Sequence, residues 1–366
     1  MGVQLGMKPL ARCLAGASVV VAVSLGFVAC SKPFGEGGGG DGGGTGTAAE
    51  GIESSPPGDG AGPGPDSGGG SDASDAGGGE SAAGEGSAGD ASSGLCHGAF
   101  AAPTLVLAHN TQYFVDSFTL TSDELEAFVT LMPAGATTEE RMVYEMHRAH
   151  PGDVFTMDTS EQVILTNVGP TPGAFDVALT VDGLTLFFSH RQDSDAGMLG
   201  VNIYDAVRGD GGAPFSTIAT LGSGINDPTT NQFHAHPAGG DLFFTVAPVV
   251  AGAQGQRDLY VALLPGVARV ALSELNSPTT QEANPVPSRD ELELFFASDR
   301  ANPGVNSVVY SAHRMSPTVS FDPPAVVPLS LAGASTNVTP QYLTPDSCRL
   351  YVLVDQQDVY VSQRAP

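Results

Sequence analysis

The sequence predicts an all-β fold over residues 96–366, a closed ring of antiparallel four-stranded sheets, and three observations predict it. A turn carrying an aspartate leads into an apolar strand and recurs with a period of about 56 residues, long enough for one four-stranded unit. Each turn is followed by a strand built on a tyrosine, so that five of the eight tyrosines fall in one register. An extra β-prone stretch precedes the first unit, while the last unit ends without one. The elements follow in chain order.

Lys8 and Arg12 precede an uncharged run from Leu14 to Ala29, ending in Phe27, Val28 and Ala29 before Cys30. The run is about 16 residues, shorter than the roughly 20 that a membrane-spanning helix needs. A basic start, a short apolar centre and small residues at its end make a secretory signal over residues 1–29. The stretch resembles a bacterial lipoprotein signal, with Phe27 where that family usually has Leu. The resemblance implies that Cys30 is the lipidation site and, through Ser31 after it, that the chain goes to the outer membrane.

Residues 30–95 hold Cys30 and a spacer of Gly, Ser, Ala, Asp, Glu and Pro. So few apolar side chains cannot offset the entropy of ordering a backbone, so the spacer is expected to be disordered. As a flexible coil of about 65 residues it would span on the order of 45 Å, a tether that holds a domain clear of lipid headgroups. Its glycine runs follow no strand and precede no Lys-Ser/Thr, which excludes a phosphate-binding loop. The formal net charge of −26 excludes nucleic acid as a partner, since a basic face would have to supply most of that affinity.

From residue 96 the turn landmark reads SDELEAFV from Ser122, VDGLTLFF from Val181, PAGGDLFF from Pro237, RDELELFF from Arg289 and PDSCRLYV from Pro345. Asp123, Asp182, Asp290 and Asp346 share one position, which Ala238 breaks in the third copy. The tyrosine strands carry Tyr144, Tyr204, Tyr260, Tyr310 and Tyr360, and Arg148, Arg208, Arg314 and Arg364 close four of them. Outer strands are expected from Val154, Pro214 and Gly266, where alternation suits one wet face. The turn aspartates, strand phenylalanines and blade tyrosines are read as turn, inter-blade core and packing residues.

The stretch FAAPTLVL from Phe100 can complete the last unit, which stops at Pro366. Such a strand closes the ring and removes open sheet edges, making a β-propeller of five blades by repeat count, with six possible if one has diverged. Cys13 lies in the leader and Cys30 at the lipid site, which leaves Cys96 and Cys348 in the mature domain. In an oxidising compartment they are expected to form a disulfide stapling the closure, two unpaired buried thiols being the alternative.

The repeats resemble the TolB-like, WD-type β-propeller family, best in VDGLTLFFSHR with Arg191 and ELFFASDR with Arg300. That family is usually six-bladed, binds proteins or ligands and shares no catalytic residues. The resemblance implies a non-catalytic binding or scaffolding module, without a cofactor and monomeric, in the cell envelope. Its partners would be the membrane, through the lipid anchor, and a protein, peptide or envelope polymer.

Three sets of residues carry other chemistry. His234 and His236 lie two apart on an expected strand, a spacing that can put both on one face toward zinc, though no third ligand is evident. Asp193 and Asp195 could offer oxygens to calcium, without the remaining spacing of a calcium loop. Asp116, Asp176 and Glu282 fall near the innermost strands of three units, where a carboxylate cluster would suit a propeller hydrolase acting on carbohydrate, the alternative function. The absence of tryptophan weakens that reading, and no G-x-S-x-G elbow supports a serine peptidase.

Overall fold

A computed structural model describes residues 95–365 except 137–139, 164, 166–172, 193–199, 249–256, 267 and 332–336. Cys30, the spacer, Asp193 and Asp195 lie outside the described residues.

Five antiparallel sheets follow one another along the chain. After β1 (Thr104–Leu107), the first blade is β2 (Tyr113–Leu120), β3 (Glu126–Pro133) and β4 (Met142–His147). The second is β5 (Ala174–Leu179), β6 (Thr185–Gln192), β7 (Gly200–Val207) and β8 (Thr217–Thr220); the third is β9 (Thr230–Ala238), β10 (Asp241–Pro248), β11 (Asp258–Leu263) and β12 (Arg269–Ala271). The fourth is β13 (Glu282–Pro287), β14 (Glu293–Ser298), β15 (Val308–His313) and β16 (Ala325–Val326). The fifth is β17 (Val338–Leu343), β18 (Arg349–Val354) and β19 (Asp358–Gln363), and β1 adds to β19 as its outermost strand. The innermost strands β2, β5, β9, β13 and β17 each contact the next, and β17 contacts β2. This is a five-bladed propeller closed by the N-terminal strand.

Thr104 pairs with Val361 across that closure, and the Cys96–Cys348 disulfide, with Cα atoms 4.8 Å apart, fastens the same blade. The stretch from Val154 departs from expectation. Instead of a fourth strand, the described residues of the first blade show an isolated bridge between Tyr144 and Gln162 and bonds from Glu145 N to Glu161 O and from Val163 N to Val143 O. Asp158 and Ser160 in that stretch make a local turn instead, Ser160 N donating to Asp158 Oδ1 at 2.8 Å.

Adjacent residues on a strand face opposite sides of its sheet, so a Phe-Phe pair on a second strand can fill the cores on both sides of its blade. Phe188 packs with Phe128 of the first blade while Phe187 packs with Phe244 of the third. Phe243 then meets Phe296, and Phe295 meets Val352. Tyr351 and Phe118 complete the circuit from the fifth blade to the first, with ring centroids 5.8 Å apart. Each such burial contributes about 2 to 3 kcal/mol. The blade tyrosines stack on these rings, as Tyr204 does on Phe188 at 5.6 Å and Tyr310 on Phe296 at 6.0 Å.

The repeated aspartate is a turn device. Asp182 Oδ1 accepts from Thr180 Oγ1 at 2.6 Å and from Leu184 N at 3.0 Å, and Asp123 and Asp290 do the same in their blades. The next residue takes a left-handed conformation: Glu124 (φ 61°), Gly183 (φ 74°), Glu291 (φ 60°) and Ser347 (φ 58°). The repeated arginine reads that conformation. Arg148, Arg208, Arg314 and Arg364 each donate from Nε to the carbonyl of this residue in their own blade, at 2.6 Å every time. The third blade has neither residue, and turns on Gly239 (φ 61°) and Gly240 instead.

Candidate functional site

Every innermost strand carries a β-bulge. The register shifts between Val115 and Ser117, Phe175 and Ala178, Ala283 and Val286, and Pro340 and Tyr342, and in the third blade opposite Phe243 to Thr245. A bulge leaves its extra residue out of the ladder and re-aims the side chain. Asp176 (φ 55°), His234 (φ 49°) and Asn284 (φ 52°) are left-handed within these bulges, and Asp116 sits in the bulge of β2. Neighbouring blades satisfy the freed amides: Val177 N donates to Ser117 Oγ at 3.1 Å and Asn284 N to Thr245 Oγ1 at 3.2 Å.

The bulges of the first three blades bring Asp116, Asp176 and His234 together, and two arginines join them from the connections that precede β4 and β11. Arg141 Nη2 lies 3.1 Å from Asp116 Oδ1. His234 Nε2 lies 3.1 Å from Asp176 Oδ1. The two carboxylates are 7% and 5% exposed. The Arg141 guanidinium stacks 4.5 Å over Phe175, and that of Arg257 lies 5.6 Å from the ring centre of Phe233.

Burial pushes Asp116 up to about 6, with Arg141 opposing and Asp176 reinforcing the shift. Burial alone would also raise Asp176, but the charge and hydrogen bond of His234, with Arg141 and Arg257, hold it below the usual range. His236 is pushed down to about 3 by burial and by His234, so it is neutral at physiological pH. Burial also lowers Arg257 from the ordinary arginine range.

Asp116 Oδ2, Asp176 Oδ2, Arg141 Nε and His234 Nδ1 are buried without a hydrogen-bond partner. Each such atom costs about 1 to 3 kcal/mol. Folded proteins rarely leave several on interacting residues, which makes this cluster the candidate site.

The other expected residues are placed differently. Glu282, read beside Asp116 and Asp176, is consumed in the fourth blade: its Oε1 accepts from Thr280 at 2.7 Å, Ser298 at 3.0 Å and Arg300 at 3.1 Å, and its Oε2 from Ser277 N at 3.0 Å. The strand spacing of His234 and His236 is interrupted by the bulge, and His234 is engaged with Asp176 rather than turned to a metal with His236. Among the described residues the grouping with metal-ligand spacing is Glu145, His147 and Glu161, an ion-paired surface cluster. At the turn ends of the inner strands a cavity of about 320 Å³ is lined by Ser122, Glu124, Val181, Arg289, Thr344 and Arg349 among others. Its buried carboxylate, Glu124, is held by Arg148, Arg349 and Tyr351 and serves the fold.

Arg141 and Arg257 were not expected at a site. Each stands three residues before its blade tyrosine, Tyr144 and Tyr260, where the fourth and fifth blades have Ser307 and Gln357. That shared offset is the signal by which they could have been found.

No family model matches the chain, and no curated protein matches it. Among solved structures it is similar to a TolB protein, described only provisionally as such, from Agrobacterium tumefaciens, with 12% identity, a TM-score of 0.39, and coverage of 66% of this chain and 70% of that one. It is similar also to a thermostable family-43 glycoside hydrolase, with 12% identity, a TM-score of 0.42, and coverage of 72% and 92%. A third is the α-L-arabinofuranosidase PaAbf62A from Podospora anserina, with 8% identity, a TM-score of 0.45, and coverage of 75% and 99%.

Proposed function

We propose that the protein is a non-catalytic binding module of the cell envelope: a TolB-like propeller, held at the outer membrane through lipidated Cys30 and the glycine-rich spacer, that captures a protein, peptide or envelope polymer. One observation carries the capture reading, the four unpartnered buried polar atoms carried by the interacting residues Asp116, Asp176, Arg141 and His234. Arg141 and His234 already engage one oxygen of each carboxylate, which offers the other as an acceptor. That arrangement is preorganised for recognition, since little ordering remains to be done when a ligand arrives.

A second reading, a hydrolase acting on carbohydrate, is favoured by one feature. Asp116 is raised and Asp176 lowered, the separation by which paired carboxylates take acid and base roles. The two are distinguished by incubating the full chain with defined envelope oligosaccharides and peptides, measuring both retention and cleavage. The binding reading expects saturable retention of an intact ligand, weakened at least tenfold by Asp176→Asn. Turnover abolished by Asp116→Ala and Asp176→Ala would replace it with the hydrolase.

A further inference from the structure

The Arg257 guanidinium is the second arginine of the site. It is half-buried, and its desolvation works against its charge. Its charge acts on Asp176 and Asp116, whose Oδ1 atoms are already engaged, by His234 and by Arg141. A desolvated cation gains from a hydrogen-bonded anion. Its planar fork, held against Phe233, suits a carboxylate. Arg141 adds a second donor, the unpartnered Nε, on the same cluster.

The acceptors define the rest of the ligand. Asp116 Oδ2 and Asp176 Oδ2 have no donor. Two guanidinium groups face two carboxylates, of which Asp116 resists ionisation, so the cluster is neutral to cationic. A ligand ammonium would meet that balance unfavourably. Hydroxyl groups would satisfy both oxygens without adding charge.

Resting on the capture reading above, we infer that the site takes a hydroxylated carboxylate, its carboxylate on Arg257 and Arg141 Nε and its hydroxyls donating to Asp176 and Asp116. This chemistry belongs both to uronic acid units of an envelope polysaccharide and to small hydroxy acids.

Calorimetric titration of the full chain with D-glucuronate, D-glucose and L-lactate tests it. Glucuronate should bind saturably and at least tenfold more tightly than glucose, a comparison that needs no variant. Arg257→Gln should bring the two sugars to parity, Arg257→Lys should keep part of the preference, and thermal melting checks that each variant folds. Lactate binding within threefold of glucuronate assigns the site to small hydroxy acids, and binding tenfold weaker assigns it to sugar acids; either supports the shared chemistry. Glucuronate no tighter than glucose, a preference that survives in folded Arg257→Gln, or no binding of any of the three overturns the inference. Capture of uncharged oligosaccharides or peptides dependent on Asp176 would then leave the binding reading standing, whereas cleavage would end that reading separately.

Discussion

Arg364, at the end of the last strand, spans two blades: it donates to Ser347 O of its own turn at 2.6 Å and grips Glu293 of the fourth blade with both terminal nitrogens, at 3.1 and 2.6 Å. Arg208 repeats the arrangement with Glu126 of the first blade. These two closing arginines therefore do two things, locking a left-handed turn and tying their blade to the one before.

Because Arg364 is 4% exposed and Glu293 6%, Arg364→Ala would leave a buried carboxylate with only the exposed His313 Nε2 beside it, at 3.4 Å. A loss of about 3 to 5 kcal/mol is expected in urea unfolding. The more exposed pair of Arg269 with Asp227, 2.8 Å apart, is the control, and Arg269→Ala should cost about 1 kcal/mol or less. Equal losses would show that the inter-blade pairs are surface features.

The Cys96–Cys348 bridge closes a separation of 252 residues. Cys348→Ser should cost about 3 to 5 kcal/mol, measured as the difference between unfolding curves, since loops of this length restrict the unfolded chain strongly. The reductant should lower the wild-type curve to that of the variant and leave the variant where it is.

Gly239 and Gly135 are both left-handed, at φ 61° and 83°, but they differ in surroundings. A Cβ at Gly239 would collide with the Glu291 side chain, and one at Gly135 would meet nothing within 4 Å. Gly135→Ala should therefore cost only the conformational penalty of about 1 kcal/mol, and Gly239→Ala more, about 2 to 3 kcal/mol. Thermal unfolding of the two variants reads the difference.

The shift of Asp116 from 3.8 to about 6 fixes the sign of a pH effect. The folded state keeps this proton where the unfolded chain has lost it, so stability contributed by Asp116 is full below pH 4 and is lost as pH rises toward 6. Asp116→Asn removes that loss. Its stability relative to wild type should therefore improve between pH 4 and 6, by on the order of 2 to 3 kcal/mol. Asp176, lowered instead, works the other way, and Asp176→Asn should lose ground against wild type as pH rises.

Much of the fold is legible in the sequence, because it rests on short-range chemistry that recurs from blade to blade. The turn aspartates, the Phe-Phe pairs and the blade tyrosines occupy fixed offsets, and Phe100 to Leu107 could be matched to the missing strand of the last blade. The site was legible only in part. Asp116, Asp176 and His234 could be placed on inner strands, but Asp176 and His234 reach the cluster through bulges with left-handed backbone, which strand alternation does not encode. Glu282 looked equivalent by position and is not, since Arg300, Ser298 and Thr280 surround it. The third blade lacks the aspartate–arginine turn, yet supplies His234 and Arg257 to the site.

The most direct test of the central claim is the melting temperature of the full chain against defined uronic acid, neutral sugar and peptide ligands, beside the double variant Asp176→Asn, Arg257→Gln. The account predicts that at least one ligand raises the wild-type melting temperature in a concentration-dependent way, is recovered chemically intact, and has no effect on the folded double variant. A ligand-induced shift that persists in the double variant, or none in the wild type, would contradict a binding site built from these residues.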